Sequence, residues 1–274
     1  MKLGELKNID DSNINSPDKH GKTAIFHSIE KDKYEIFNAL IERKADLYHK
    51  ANRGRTIVHY AAKKSHTLYL ERLSALGLDM DVKSDDGTTP LMEACGSSAI
   101  ECIKFLLEND CDVNSKADYG HTPILFASYQ GSLECIKVLV ETGADINATE
   151  ENGFTVLRNA IWSDSYDIAE YLLSKGASID NQNDVLISAV ISRYPFDNQL
   201  KTLDFLLANG FDINAQDDHG RTLLFNAANR NQVELCQYLL SLGADMNIKD
   251  RLSNLTAKEY AEKYGEKDTT RLFE

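Results

Sequence analysis

Apolar positions recur along this 274-residue chain in one repeated phrase. Residues 120–147 give it in clear form: a short amphipathic block, Gly120-His-Thr-Pro-Ile-Leu-Phe-Ala127, then Gly131, then Leu133, Ile136, Leu139 and Val140. Spacings of three and four put the second set on one face of a helix. The phrase therefore predicts a pair of short helices, and its repetition predicts a row of such pairs.

Glycine keeps time for the phrase. It stands at positions 21, 54, 87, 120 and 153, and the phase returns at Gly220, with threonine two residues later in each case, from Thr23 to Thr222. A period of this length marks a stacked solenoid, in which each unit buries its apolar face only against its neighbours. The leading glycine permits a turn of positive φ, Thr122 can cap the helix that follows, and Pro123 suits that helix's first position. Gly131 and Gly143 are expected to end the first and second helices.

Thr-Pro-(Leu/Ile)-x-x-Ala followed by Leu-Leu-x-x-Gly-Ala-Asp-Ile-Asn resembles the ankyrin repeat, and the match extends over nearly the whole chain. Thr89-Pro-Leu-Met-Glu-Ala94 opens another copy, and Leu239-Leu-Ser-Leu-Gly-Ala-Asp-Met-Asn247 closes a later one. The resemblance implies an all-α solenoid of helix-turn-helix units with short β-hairpin fingers. The register gives an N-terminal half repeat over 1–17, seven repeats over 18–250 and a C-terminal helix pair over 251–274. Leu3 and Leu6 would lie on a lone N-terminal helix, and the more charged ends are expected to act as caps.

The sixth repeat, about 181–216, departs most. Aligning Ala189 with the other first-helix alanines puts Gln182 in the glycine slot and Asp184 in the threonine slot, where Asp can still cap a helix. Its finger is shortened, and extra residues around Arg193-Tyr-Pro-Phe-Asp-Asn198 fall between its helices. A protruding aromatic loop is expected there, with Tyr194 and Phe196 as contact points, and this repeat should be the weak link of the stack.

Charge is uneven. Residues 1–84 carry 15 Lys and Arg against 12 Asp and Glu, whereas residues 85–274 carry 15 against 31, within a formal net charge of -13. The acidic bulk argues against a nucleic acid or an anionic membrane as main ligand and favours a protein partner with a basic surface. No apolar stretch is long enough to form a signal peptide or to span a bilayer. The five cysteines, Cys95, Cys102, Cys111, Cys135 and Cys236, have no metal-ligand spacing and read as small buried residues in a reducing compartment. A cytoplasmic location is expected.

Two chemical motifs begin in the same register and remain incomplete. Gly21-Lys22-Thr23 has the tail of a phosphate-binding loop, but Ser16 stands where its first glycine belongs. Asp79-Met-Asp81 begins like a calcium loop, yet Lys83 occupies a ligand position and Pro90 the place of the bidentate glutamate. No catalytic set can be defended from spacing, so neither an enzyme nor a bound cofactor is expected.

What the resemblance implies about sites follows the fingers and first helices, which in such proteins line a concave groove. It places Arg53, Arg55, Lys63 and Lys64 at a basic N-terminal end. Asp85, Asp86, Asp118, Tyr119, His121, Tyr129, Glu151, Phe154 and Trp162 would form an aromatic and acidic middle. Trp162, the only tryptophan, shares its slot with Lys63, Gly96, Tyr129 and Asn229, and a slot that variable is not core. His59 fills the motif slot whose ring ties neighbouring hairpins together. The function implied is a stand-alone interaction module, monomeric when free, that binds a protein through the groove. Small size and capped ends favour an inhibitor or immunity-type neutraliser of a basic protein. The alternatives are a scaffold, a bacterial effector, a structural spacer or a hydroxylase substrate modified at Asn114, Asn147, Asn214 or Asn247, whose simpler role is to hold the tight turn.

Overall fold

A computed structural model describes residues 12–179, 183–193, 195–264 and 267–273. Regular structure is helical. Among the described residues the extended pairings are two isolated bridges, Thr149 with Thr155 and Lys249 with Thr256. The chain divides into two compact units, Met1–Ala160 and Ile161–Glu274. No described helix is long and apolar enough to cross a membrane.

The first unit contains α1 (Ala24–Glu30) and α2 (Tyr34–Glu42), α3 (Ile57–Lys63) and α4 (Thr67–Ala75), α5 (Pro90–Cys95) and α6 (Ile100–Glu108), and α7 (Pro123–Tyr129) and α8 (Leu133–Glu141). Within it α1 packs on α3, α3 on α5 and α5 on α7, while α4 packs on α6 and α6 on α8. First helices thus make one layer and second helices another. The repeat period explains why: Val58, Leu91 and Ile124 of the first helices, like Leu40, Leu73, Leu106 and Leu139 of the second, are fully buried at matching positions. Each such leucine contributes roughly 2 kcal/mol by leaving water.

Pro90 and Pro123 open α5 and α7 as expected. The threonine caps are realised unevenly. Thr89, Thr155 and Thr222 accept the backbone N–H of Met92, Arg158 and Phe225. The buried hydroxyls of Thr23 and Thr122 make no such bond, so α1 and α7 start without the predicted cap. At Thr56 the neighbouring His59 ring takes over: its Nδ1 accepts the Thr56 N–H at 3.2 Å.

Fingers connect one pair to the next. In the first unit each is closed at its base by a backbone hydrogen bond, such as Ala51 N–H to Arg55 O at 2.8 Å, and is too short to form strands. Successive fingers are zipped by one further bond: the N–H groups of Asn52, Asp85, Asp118 and Glu151 reach His20, Arg53, Asp86 and Tyr119 carbonyls. This close approach restricts Gly54, whose φ is 67° and whose added Cβ would lie 2.2 Å from Asp85 Oδ1 and 2.8 Å from Asp85 N.

α9 (Val156–Trp162) runs across the boundary of the units. The second unit continues with α10 (Tyr166–Ser174), α11 (Asn183–Ile191), α12 (Phe196–Ala208), α13 (Leu223–Asn229), α14 (Val233–Ser241), α15 (Ala257–Tyr264) and the short α16 (Lys267–Thr270). Here α11 packs on α13 and α13 on α15, with α12 on α14.

The sixth repeat corrects two expectations. Of the extra residues, Phe196, Asp197 and Asn198 do not join a loop but are wound into α12, which has 13 residues where α10 and α14 have nine. Helix is the better solution because the extension has something to bury: Phe196 meets the Tyr238 ring edge-on at 6.3 Å, and Gln199 is buried with its Nε2 donating to Ile191 O. Asp184 does not cap α11, which begins one residue earlier at Asn183. Its Oδ1 instead accepts the Asp218 N–H at 2.6 Å, the part played one repeat later by His219 O towards Arg251 N–H. Burial, reinforced by the charge of Asp218, pushes the Asp184 carboxyl above its usual range. Replacing Asp184 with Ala should speed hydrogen exchange at the Asp218 amide and leave the Arg251 amide unchanged. Equal rates at Asp218 in both proteins would show that the carboxylate does not hold the finger. The predicted Leu3 and Leu6 helix, Asp180, Gln182 and Tyr194 lie outside the described residues.

Candidate functional site

The basic end expected in the first fingers is largely neutralised from within. Lys22 Nζ sits 2.6 Å from Glu30, Arg55 binds Asp86 at 2.8 Å and Glu93 at 2.7 Å, and Lys63 reaches Glu93 at 3.1 Å. Burial disfavours the charged forms of both Arg55 and Asp86, but their mutual hydrogen bond outweighs it. The Arg55 guanidinium is raised, and with Ser84 and Thr88 also donating, the Asp86 carboxyl is held well below the carboxylate range. Arg55 and Asp86 therefore staple two fingers together, while Arg53, Lys64 and Asp85 are exposed. His59 is buried in this region as a hub. Its Nε2 donates to Thr88 O at 2.9 Å, tying adjacent hairpins, and burial lowers its pKa.

Further along the first unit, the fourth finger and α7 bring three expected residues together. His121 lies between Tyr119, at 6.4 Å ring to ring, and Tyr129, at 6.1 Å. Its Nδ1 donates to Asp118 O at 2.9 Å, which fixes the ring. Tyr119 is 67% exposed and Tyr129 49%. Tyr119 also holds a left-handed backbone, φ 61°, a conformation that is strained for a bulky residue and that lifts the ring from the finger tip. Asp118 and Glu151 are exposed beside it. Phe154 behaves differently: it is half-buried with the Arg158 guanidinium 3.6 Å from its ring centre, a cation–π contact inside the protein.

In the second unit Trp162, the last residue of α9, is 43% exposed. Phe196, expected on a loop, is half-buried against Tyr238.

Three features escaped sequence reasoning although the register could have shown them. Glu150 shares its finger slot with Asp217 and Asp250, whose carboxylates accept N–H groups of their own finger. One methylene longer, Glu150 misses that geometry; its side chain is 7% exposed and lies 3.9 Å from His121 Nε2. His121 and Glu150 thus stand in the relation that Arg221 has to Asp250 three repeats later. The hairpin asparagines do more than close a turn. Asn15, Asn114 and Asn214 accept the N–H of Asp46, Asp145 and Asp245, each at 2.8 Å, and so link one repeat to the next. Finally, Arg193 clamps the end of α9.

All five cysteines are buried thiols. Burial pushes Cys111 and Cys236 up to about 12, where little reactive thiolate forms. Among the described residues no group of three His, Cys, Asp or Glu side chains is placed to hold a metal ion.

Comparison with known proteins agrees with this architecture. The family models described as "Ankyrin repeats (3 copies)" and "Ankyrin repeats (many copies)" match residues 44–117 and 111–183, and residues 186–240, respectively. An ankyrin repeat protein of Acanthamoeba polyphaga mimivirus is 34% identical over 71 residues, 26% of this chain and 10% of that protein. One from fowlpox virus (strain NVSL) is 41% identical over 64 residues, 23% of this chain and 9% of the relative. The chain thus spans about a tenth of the length of these relatives. The crystal structure of the human ASB11 ankyrin repeat domain superposes with a TM-score of 0.63 at 26% identity, covering 80% of this chain and 98% of that domain. Such repeats are in general non-catalytic, and matches over most of the sequence, joined to the helix-pair fold, lead to one conclusion: the chain belongs to the ankyrin-repeat family, whose repeats serve as protein–protein interaction modules.

Proposed function

We propose that the exposed fingers and first helices of the first unit dock a protein partner with a basic surface; for the second unit, taken by itself, we propose Trp162 as a partner contact. The observation that carries this reading is the Tyr119–His121–Tyr129 cluster, with two rings held in solvent and Asp118 and Glu151 beside them. Tyrosine and tryptophan bury large apolar area with few rotors to freeze, so they dominate many interfaces. Charge supports the partner's sign: residues 85–274 hold 31 acidic against 15 basic side chains. Within this class the role we assign is inhibition by occupancy, the acidic face covering a basic functional site.

The test is a binding titration with a partner co-purified from the native source. Tyr119→Ser with Tyr129→Ser should weaken binding by roughly 3 kcal/mol, more than a hundred-fold, while the melting temperature stays within a degree or two. Trp162→Ala should cost roughly 2 kcal/mol of affinity on the same grounds. Unchanged affinity in the double variant would end the docking proposal. A partner that keeps full activity when saturated would leave docking intact and remove the inhibitory role.

A further inference from the structure

We propose that Arg193, supplied by the insertion in the sixth repeat, is a positioning residue that holds Trp162 in its exposed pose. The proposal rests on the reading of Trp162 as a partner contact, and its physical part can be tested without any partner.

α9 ends at Trp162, and the last carbonyls of a helix have no partner within the helix. Arg193 provides one from the following repeat. Its Nη2 donates to Ile161 O at 2.8 Å and also to Trp162 O, and its Nη1 lies 2.6 Å from Asp164 Oδ2. A cation at this end also suits the negative pole of the helix dipole. The Arg193 side chain is only 11% exposed, so the clamp is part of the packed structure.

The anchor extends beyond the arginine. Asp164 makes the turn from α9 to α10 in a left-handed conformation, φ 58°, and its other oxygen accepts the Tyr166 hydroxyl at 3.1 Å. Tyr166 in turn meets Thr202 on α12 at 3.1 Å. Burial works to raise the Asp164 carboxyl, but the hydrogen bonds from Arg193 and Tyr166 prevail and lower it, so the anion persists at neutral pH. Among the described residues, the side-chain donors at the corresponding end of α11 are neutral, Gln199 and Gln232 reaching Ile191 O. The charged clamp falls at the one turn that presents a tryptophan. The insertion is thereby explained: it lengthens α12 and places a guanidinium where it fixes the backbone from which Trp162 projects. A ring fixed before binding loses less freedom in the complex.

Trp162 is the only tryptophan, so its fluorescence reports this site alone. Anisotropy and acrylamide quenching would be measured on the full chain for wild type, Arg193→Met and Arg193→Lys, with far-UV circular dichroism melts alongside. Arg193→Met should lower the anisotropy and raise the quenching while helix content is unchanged, and Arg193→Lys should recover part of both. Partner binding by Arg193→Met should weaken roughly three- to ten-fold, the loss expected when one side chain must be immobilised on binding. Should Arg193→Met unfold the second unit, Asp164→Asn, which loosens one arm only, must raise the quenching with helices intact. Wild-type anisotropy and quenching in the folded variant overturn the proposal. If instead Arg193→Met mobilises the ring and Trp162→Ala leaves binding unchanged, the clamp stands and the contact reading of Trp162 fails.

Discussion

Replacing Gly54 with alanine should destabilise the first unit by roughly 2–4 kcal/mol, combining left-handed backbone strain with a steric clash. The strain arises because the φ of 67° favours glycine, and the clash because the new Cβ would meet Asp85 at both its carboxylate and its backbone nitrogen. Side chains can swing away, but that nitrogen cannot, since Asp85 N–H is the bond that zips the third finger to Arg53 O. Gly243 is the control. It is equally left-handed, φ 86°, yet has nothing within 4 Å of an added Cβ, so Gly243→Ala should lose only about 1 kcal/mol from strain. Urea melts of both variants decide the matter: equal losses would mean that the fingers do not depend on close backbone approach.

His59→Ala should lower stability by roughly 1–3 kcal/mol at neutral pH, because the buried Thr56 N–H loses its acceptor, while Thr88 O loses one donor and keeps those of Ser84. Thr56 N–H donates to Nδ1 and Thr88 O accepts from Nε2, so the neutral ring is fully used and its tautomer is fixed. A second proton could enter only at Nδ1, by displacing the Thr56 N–H. Burial and this geometry both keep the folded pKa below the ordinary histidine value. The sign follows: below about pH 6.5 the unfolded chain binds a proton that the folded chain refuses, so stability declines as pH falls towards the lowered folded pKa. The His59 contribution is therefore complete above pH 6.5, and the wild type should lose more stability than His59→Ala between pH 7 and 5.5. Asp86, also depressed, acts in the same direction at lower pH, its contribution fading as pH falls from the usual carboxylate range towards its lowered folded value. Parallel curves for the two proteins would exclude a buried neutral His59.

The legible part of the molecule was the part with a period. Pro90 and Pro123 at helix starts, the buried leucines at 73, 106 and 139, and His59 between hairpins all follow from local rules repeated in phase. Residues outside the period were harder to place. Capping, a short-range rule, points Asp184 at its own helix, whereas its partner, Asp218, lies one finger away. The inserted segment around Phe196 reads as a loop until Tyr238 is seen to cover that ring. Charges were the least legible, since Arg55 and Lys63 count as a basic surface in sequence and as one ionic cluster around Glu93 in space.

Sequence alone determined that this chain is a row of helix pairs, which pair is irregular, and which slots vary. These are properties of spacing, and spacing of apolar, glycine and threonine positions acts through contacts a few residues or one repeat apart. Only the tertiary structure decided which variable side chains are exposed and which are turned to internal partners. Tyr119 and Tyr129 stand out, Arg55 and Phe154 turn to internal partners, and Trp162 projects from a helix end pinned by Arg193. The physical reason is that exposure and charge pairing depend on what the next repeat places opposite each side chain, and that placement is a distance in space.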